Sequence, residues 1–239
     1  MFLGEAAGYQ AAAAPGLHVA LCNEPVADMN MIVVGARAEP ASLIRAARDC
    51  LDRSLPFLTV IFPEAGQALD DAAGGLGLVH AVDFPFMVRD DAPIEPLGHP
   101  DAEVTRAVGP EDAEASAAML ESAFSMPRDA VLRALPASLC DSPAVDVFVA
   151  RMDGQPVGTV TLTYHGDTCG IWAMGTDRGR QRGGVGRRLL SSAIADARNR
   201  GLQRFFLGAT PAGYGLYESL GFVTRVTARV WVSGETHQA

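Results

Sequence analysis

DRGRQRGGVGRRLLSSAIADARNRG, residues 177–201, is a glycine- and arginine-rich loop that runs straight into an amphipathic helix. Gly183, Gly184 and Gly186 let bare backbone approach whatever lies outside the turn. The first turn of a helix has unpaired N–H donors and the positive end of the helix dipole, so such a stretch can receive an anion. Arg180, Arg182, Arg187 and Arg188 add fixed positive charge of the kind that pairs with phosphate. A glycine/arginine turn before a helix also occurs as a plain solvated loop, so the rest of the chain has to choose between the two. In the helix, Val185, Leu189 and Ala193 share one stripe, widened by Leu190, Ile194 and Ala197, and Gly201 is a natural stop.

The chain has 239 residues, enough for one large domain or two small ones, and its 49% hydrophobic and 20% charged content is that of a globular protein. Its net charge of −9 argues against general nucleic-acid binding, which needs a basic face. All basic side chains are arginine; the absence of lysine removes any phosphate-binding Gly-Lys-Ser/Thr loop. Cys22, Cys50, Cys140 and Cys169 are far apart and have no metal-ligand spacing, so reduced, mostly buried thiols and no metal are expected. The opening MFLGEAAGYQAAAAPG lacks a basic segment and a long apolar run. It reads as a loose or helical lead-in, neither signal nor span, and a cytoplasmic location with no membrane partner is the expectation.

The first half alternates strand and helix. Met29 to Ala36 and Phe57 to Phe62 read as buried strands. Between them Glu39-Pro40 opens a helix, a second helix covers Glu64 to Ala73, and His80 to Val88 is a third strand. This order suggests an α/β layer with parallel neighbours. Arg89 to Pro100 carries three prolines and little apolar content, so the chain is divided there into domains 1–95 and 101–239, with His99 in a solvated loop. Beyond it come a strand over 103–108, helices from Pro110 and Arg128 (the second to about Leu139), and two strands closed by Asp153-Gly154 as a hairpin. Cys169 to Thr176 is the next strand and feeds the opening loop. A short strand at Phe205 to Leu207, a helix from Pro211 to Leu220 and a last long strand follow.

Gln181-Arg182-Gly183-Gly184-Val185-Gly186 fits Q/R-x-x-G-x-G/A in full, and Tyr217-Glu218-Ser219-Leu220-Gly221-Phe222 fits Y-x-x-x-G-F at the end of the following helix. On these two linked motifs, and on Met174-Gly175-Thr176 before them, the segment from about 101 to 233 resembles the GNAT superfamily of acyl-CoA-dependent N-acyltransferases. The resemblance implies an α/β (α+β) fold: a mixed, mostly antiparallel sheet flanked by helices, with its fourth and fifth strands splayed around pantetheine. It implies acetyl-CoA as co-substrate and acetyl transfer to a primary amine by direct attack. Gln181, Arg182, Gly183, Gly184, Val185 and Gly186 would cradle the pyrophosphate. Ala173, Met174 and Thr176 would line the pantetheine arm, and Arg187 and Thr210 would add contacts. Tyr217 would serve the departing thiol as the catalytic residue.

The pattern is not followed everywhere. Thr210 stands where the family often has Asn, and the fourth strand carries no glutamate to act as base. Asp167, His165 and Glu218 are the nearby ionisable groups. A non-catalytic CoA- or acyl-CoA-binding regulator is therefore the alternative. The expected partner is a small-molecule amine or an amino-terminal group, and a homodimer is allowed. In the light of the resemblance, the first half reads as a smaller, degenerate GNAT-like copy without a glycine loop. Its strands 29–36 and 57–62 would correspond to the fourth and fifth strands of the second half.

Overall fold

The computed structural model describes residues 10–90 and 92–233. In chain order these form β1 (Gln10–Ala14), β2 (Leu17–Leu21), β3 (Asn30–Val34), α1 (Pro40–Asp52), β4 (Leu58–Ile61), α2 (Gln67–Gly75), β5 (Leu78–Arg89), β6 (Glu103–Arg106), α3 (Gly109–Phe124), α4 (Arg128–Ala134), β7 (Val145–Met152), β8 (Gln155–His165), β9 (Thr168–Thr176), α5 (Val185–Asn199), β10 (Arg204–Gly208), α6 (Pro211–Ser219) and β11 (Val223–Ser233). Proline sits in the first positions of α1, α3 and α6, where its missing N–H costs nothing. Gly201 and Gly221 follow α5 and α6 with positive φ and reverse the chain out of the helix.

The described residues separate into two compact units, one within Met87–Val223 and one of residues 10–86 together with 224–233. The expected boundary between 95 and 101 therefore differs from the division of the fold. The reason is β11, which pairs antiparallel with β4, Arg229 opposite Ile61 and Val232 opposite Leu58. The strand order in the N-terminal unit is β1-β2-β3-β4-β11-β5. β3 and β4 are parallel, as expected, but β11 lies between β4 and β5.

The alanine-rich lead-in also differs from expectation. Residues 10–14 are a strand against β2, with Gln10 opposite Leu21 and Ala14 opposite Leu17. Alanine favours helix, but Pro15-Gly16 forces a turn after so short a run, and pairing with β2 satisfies its backbone instead. Residues 1–9 of that lead-in lie outside the described residues. On one face of this sheet α1 and α2 bury Leu43, Ala47, Leu69 and Ala73 against Ile32, Val34, Phe57 and Ile61. Asp70, almost fully buried on α2, receives a 2.7 Å bond from Arg229 Nε.

In the C-terminal unit the order is β10-β9-β8-β7-β6. β7 and β8 form the expected hairpin, and Asp153 and Gly154 both take positive φ in its turn. α5 packs its apolar stripe, Val185, Leu189, Leu190, Ala193 and Ile194, against Val160, Leu162, Cys169 and Ile171 of β8 and β9. α3 lies on the opposite face, where Ser116 bonds Thr159 at 2.7 Å. The second helix expected from Arg128 ends at Ala134, and a short 3-10 turn takes its place over Ala137–Asp141. All four cysteines are free thiols. Burial pushes the thiol of Cys50 up to about 11 and that of Cys169 up to about 12.

The proline-rich segment after β5 is largely exposed, yet its backbone is fastened to α5. Leu97 N–H donates to the buried Ser191 hydroxyl at 2.8 Å, and His99 N–H donates to Gly184 O at 3.3 Å. Arg188 reaches Pro96 O and Ala102 O. Gly98 takes φ +113, and a Cβ on it would lie 2.4 Å from Gly184 O and 2.7 Å from Arg188 N. Both contacts are with backbone at the start of α5, which cannot yield as a side chain would. Gly98→Ala is expected to cost about 2–3 kcal/mol, the range for strained backbone. Thermal unfolding would show it as a Tm several degrees lower.

Candidate active site

Two parallel strands part at the centre of the C-terminal unit. β9 and β10 pair only at Thr168–Arg204, Cys169–Phe205 and Gly170–Phe206. From Ile171 to Thr176, β9 has no strand partner on that side among the described residues, and the two strands form a fork. On its other edge β9 is bulged against β8. Thr159 faces Gly175 and Thr161 faces Trp172, so Ala173 and Met174 together oppose Val160, and Ala173 takes φ +46. Gly175 lets α3 close on this strand, since a Cβ there would sit 2.9 Å from Ala123 Cβ.

The glycine loop lies beyond the end of β9. Asp177 starts it, accepting Gly179 N–H at 2.9 Å through one carboxylate oxygen and the Ser122 hydroxyl at 3.0 Å through the other. Arg182 and Gly184 both take positive φ, and Gly184 is the N-cap of α5. Arg188 N–H is the first to bond back into the helix, to Gly184 O at 3.0 Å. No bond among the described residues uses the N–H groups from Gln181 to Arg187. A Cβ on Gly183 would touch only Arg180 O, at 3.6 Å, so this part of the loop is open. Gly186 marks the junction of three elements: its Cβ would meet Thr176 Oγ1 at 3.3 Å, and Met174 Cε and Leu216 Cδ2 at 3.4 Å each. This cradle fits a pyrophosphate, because its donors are unspent backbone N–H groups at a helix start and Arg180 and Arg182 are exposed beside it.

The structure thus brings Met174, Thr176 and Gly186 together and sets Gln181 to Arg187 along one loop and the first turn of α5. The Val185 side chain is core, 2% exposed, so only its backbone faces the loop. Gln181 Nε2 reaches Thr176 O at 3.3 Å. Arg187 Nη2 donates to Ser219 Oγ on α6 at 2.8 Å, tying the two helices. The Thr210 hydroxyl is engaged as the N-cap of α6, accepting Gly213 N–H at 3.3 Å.

Tyr217 lies on α6 against Gly213 and Phe222, 8% exposed, with no hydrogen bond to its hydroxyl among the described residues. Burial pushes its phenol up to about 12, because ionisation would put a charge in apolar surroundings. None of the three ionisable groups noted in the sequence is buried at the bulge. Asp167 sits at the start of β9, paired with Arg204 through both oxygens at 2.7 Å, and that guanidinium holds its carboxyl below the usual range. His165 ends β8 in an exposed turn, and Glu218 is exposed on α6. Among the described residues no cluster of His, Cys, Asp and Glu could hold a metal ion, and no helix is long and apolar enough to cross a membrane.

A feature not foreseen from the sequence stands at the apex of the fork. Trp172 and Phe206 meet edge to face, ring centroids 5.6 Å apart, and the indole N–H donates to Thr163 Oγ1 at 2.8 Å. The alternation of β9 sets Trp172 on the α3 face, but no motif marks it.

Residues 116–222, which hold the fork, the cradle and Tyr217, match the model of the acetyltransferase (GNAT) family. They form a GNAT acetyltransferase domain. A GCN5-related N-acetyltransferase from Kribbella flavida superposes with a TM-score of 0.73 at 19% identity, over 96% of this chain and 91% of its own. A second, from Sphaerobacter thermophilus, gives 0.67 at 17% identity, over 91% and 76%. A tandem GNAT protein from the clavulanic acid biosynthesis pathway gives 0.61 at 13%, over 90% and 77%. At these identities the likeness is one of fold. No curated protein matches the chain.

The phenol of Tyr217 gives the GNAT domain a measurable signature. The folded chain holds this proton to about pH 12, whereas an unfolded tyrosine releases it near 10. The folded state therefore binds more protons between these values, and the stability linked to Tyr217 is lost as pH rises through that window. Subtracting the ultraviolet phenolate titration of Tyr217→Phe from that of the wild type should leave a step near pH 12, not 10.

Proposed function

We propose that the GNAT domain binds acetyl-CoA and transfers its acetyl group to a primary amine, carried by a small molecule or an amino terminus. The observation that carries this reading is the run of unspent N–H groups from Gln181 to Arg187 at the mouth of the fork. Such a run suits a pyrophosphate, and an extended pantetheine arm suits the unpaired edge of β9. The co-substrate supplies an activated thioester: the amine nitrogen bonds the carbonyl carbon as the carbon–sulfur bond breaks, the nitrogen loses a proton and the sulfur gains one.

The chain's own groups do the rest. The backbone at the Ala173–Met174 bulge has no register partner on β8 beyond Val160, so its N–H groups would serve the charge developing on the carbonyl oxygen. Tyr217 stays neutral throughout the working range and offers the sulfur a hydrogen bond. Its phenol near 12 is about 3 units above an ordinary thiol, so outright proton delivery would be uphill by roughly 4 kcal/mol. The hydroxyl would therefore stabilise the thiolate while solvent supplies the proton. Asp167 is held by Arg204, so the amine would lose its proton to water rather than to that carboxylate.

The N-terminal unit has the same strand–helix–strand order without the means to bind CoA. β3 and β4 stay paired from Met31–Leu58 to Val34–Ile61, so no fork opens. Glu39, whose side chain makes no capping bond, is the N-cap of α1 and adds negative charge at that helix start. A degenerate copy with no CoA of its own is the reading these features support.

Calorimetry with CoA and thiol release from acetyl-CoA with a panel of amines test the proposal. One CoA per chain is expected. Gly183→Asp, which has room for its side chain, should weaken CoA binding about 10-fold or more by setting a carboxylate against phosphate. Tyr217→Phe should lower kcat about 10-fold and leave the CoA affinity unchanged. Absence of CoA binding would refute the proposal, and binding without turnover on any amine would leave a CoA-binding regulator.

A further inference from the structure

The fork has a floor, and its construction bears on which acyl group fits. At the apex Gly170 pairs with Phe206, so the strands there are at hydrogen-bonding separation and the gap in the plane of the sheet is closed. An acyl chain pointing from the bulge towards the apex must leave that plane. On the α5 side it meets core: Ile171, Leu190, Phe205 and Leu207 are each no more than 4% exposed. Only the α3 side is left, and there Trp172 and Phe206 stand over Gly170.

These two rings are fixed rather than adaptable. A Cβ on Gly170 would lie 2.6 Å from the indole nitrogen, 2.9 Å from Phe206 Cζ and 2.9 Å from Thr163 Oγ1, so the rings rest directly on bare backbone. The indole is tied by its N–H to Thr163 and braced by the edge-to-face contact, which fixes its rotamer. Trp172 is also the last residue before the bulge at Ala173–Met174, so this floor lies beside the place where the reacting carbonyl would sit.

Resting on the acyl-transfer reading above, we infer that the Trp172–Phe206 pair limits the donor to an acetyl-sized acyl group. A two-carbon chain ends before the floor. A four-carbon chain meets the indole, which cannot swing away without losing its bond to Thr163.

Binding alone tests this, so no acceptor is needed. Calorimetry on the full chain would compare CoA, acetyl-CoA and butyryl-CoA for the wild type and for Trp172→Ala, Phe206→Ala and Thr163→Val. The wild type is expected to bind butyryl-CoA at least about 10-fold more weakly than acetyl-CoA, the scale set by added methylenes in a closed pocket. Trp172→Ala and Phe206→Ala should bring the two within about 3-fold, and Thr163→Val, which keeps the packing and removes the tie, should reduce the discrimination partway. The affinity for CoA itself, which lacks the acyl group, reports whether each variant is folded. Wild-type binding of butyryl-CoA as tight as that of acetyl-CoA overturns the inference and spares the function. So does a discrimination unchanged in the variants that still hold CoA. A wild type that binds none of the three overturns both.

Discussion

The parting of β9 from β10 after Gly170 and Phe206 is the constraint on which the functional half of the molecule depends. A strand edge left without a partner inside a sheet gives up the ladder bonds that its N–H and C=O groups would otherwise make. Contacts on both faces of β9 resist closure of the fork. α5 sets Gly186 against Met174 and Thr176 of β9. α3 presses Ala123 and Phe124 onto Gly175 from the other side. The bulge at Ala173 then turns the strand and fixes the break in register. The arrangement leaves the β9 edge without a neighbouring strand, a place that an extended ligand can take.

The two units show what that constraint changes. In the N-terminal unit β3 and β4 are parallel like β9 and β10, with α1 between them in sequence as α5 is between the other pair. There the strands stay zipped to Val34–Ile61, and no bulge is needed. The core made by Ile32, Val34, Phe57 and Ile61 with the helices can then close without interruption. One pattern of strand and helix yields either a packed sheet or a cleft, and continuous pairing decides which.

Local signals were legible in the sequence and non-local ones were not. The glycine loop, the stripe on α5, the Asp153-Gly154 turn and the tyrosine of α6 each declare themselves within a few residues. Thr210 was readable as an exception to a motif, but its engagement as a cap shows only when Gly213 N–H is placed. The segment around Gly98 has the composition of a solvated linker, yet its backbone groups are bonded to Ser191 and Gly184. Composition cannot report a bond between main-chain atoms so far apart in sequence. Trp172 and Phe206 looked like ordinary strand residues, because their meeting depends on which strands pair and where pairing stops. Residues 10–14 failed for a related reason: alanine propensity is weak beside the gain from an available strand edge.

The pairing of β11 with β4 has a consequence for how the chain reaches its native state. β4 has β3 on one side and needs β11 on the other, yet the whole of Met87–Val223 is synthesised between them. During translation the earlier residues can form the β1-β2-β3-β4 layer, but one edge of β4 stays open until β11 emerges. That edge carries Val60 and Ile61, both buried in the finished sheet. A hydrophobic edge exposed for that interval is vulnerable to intermolecular pairing, and closing it requires a contact of very long sequence separation. The N-terminal sheet is therefore sealed only after the whole intervening unit has been synthesised.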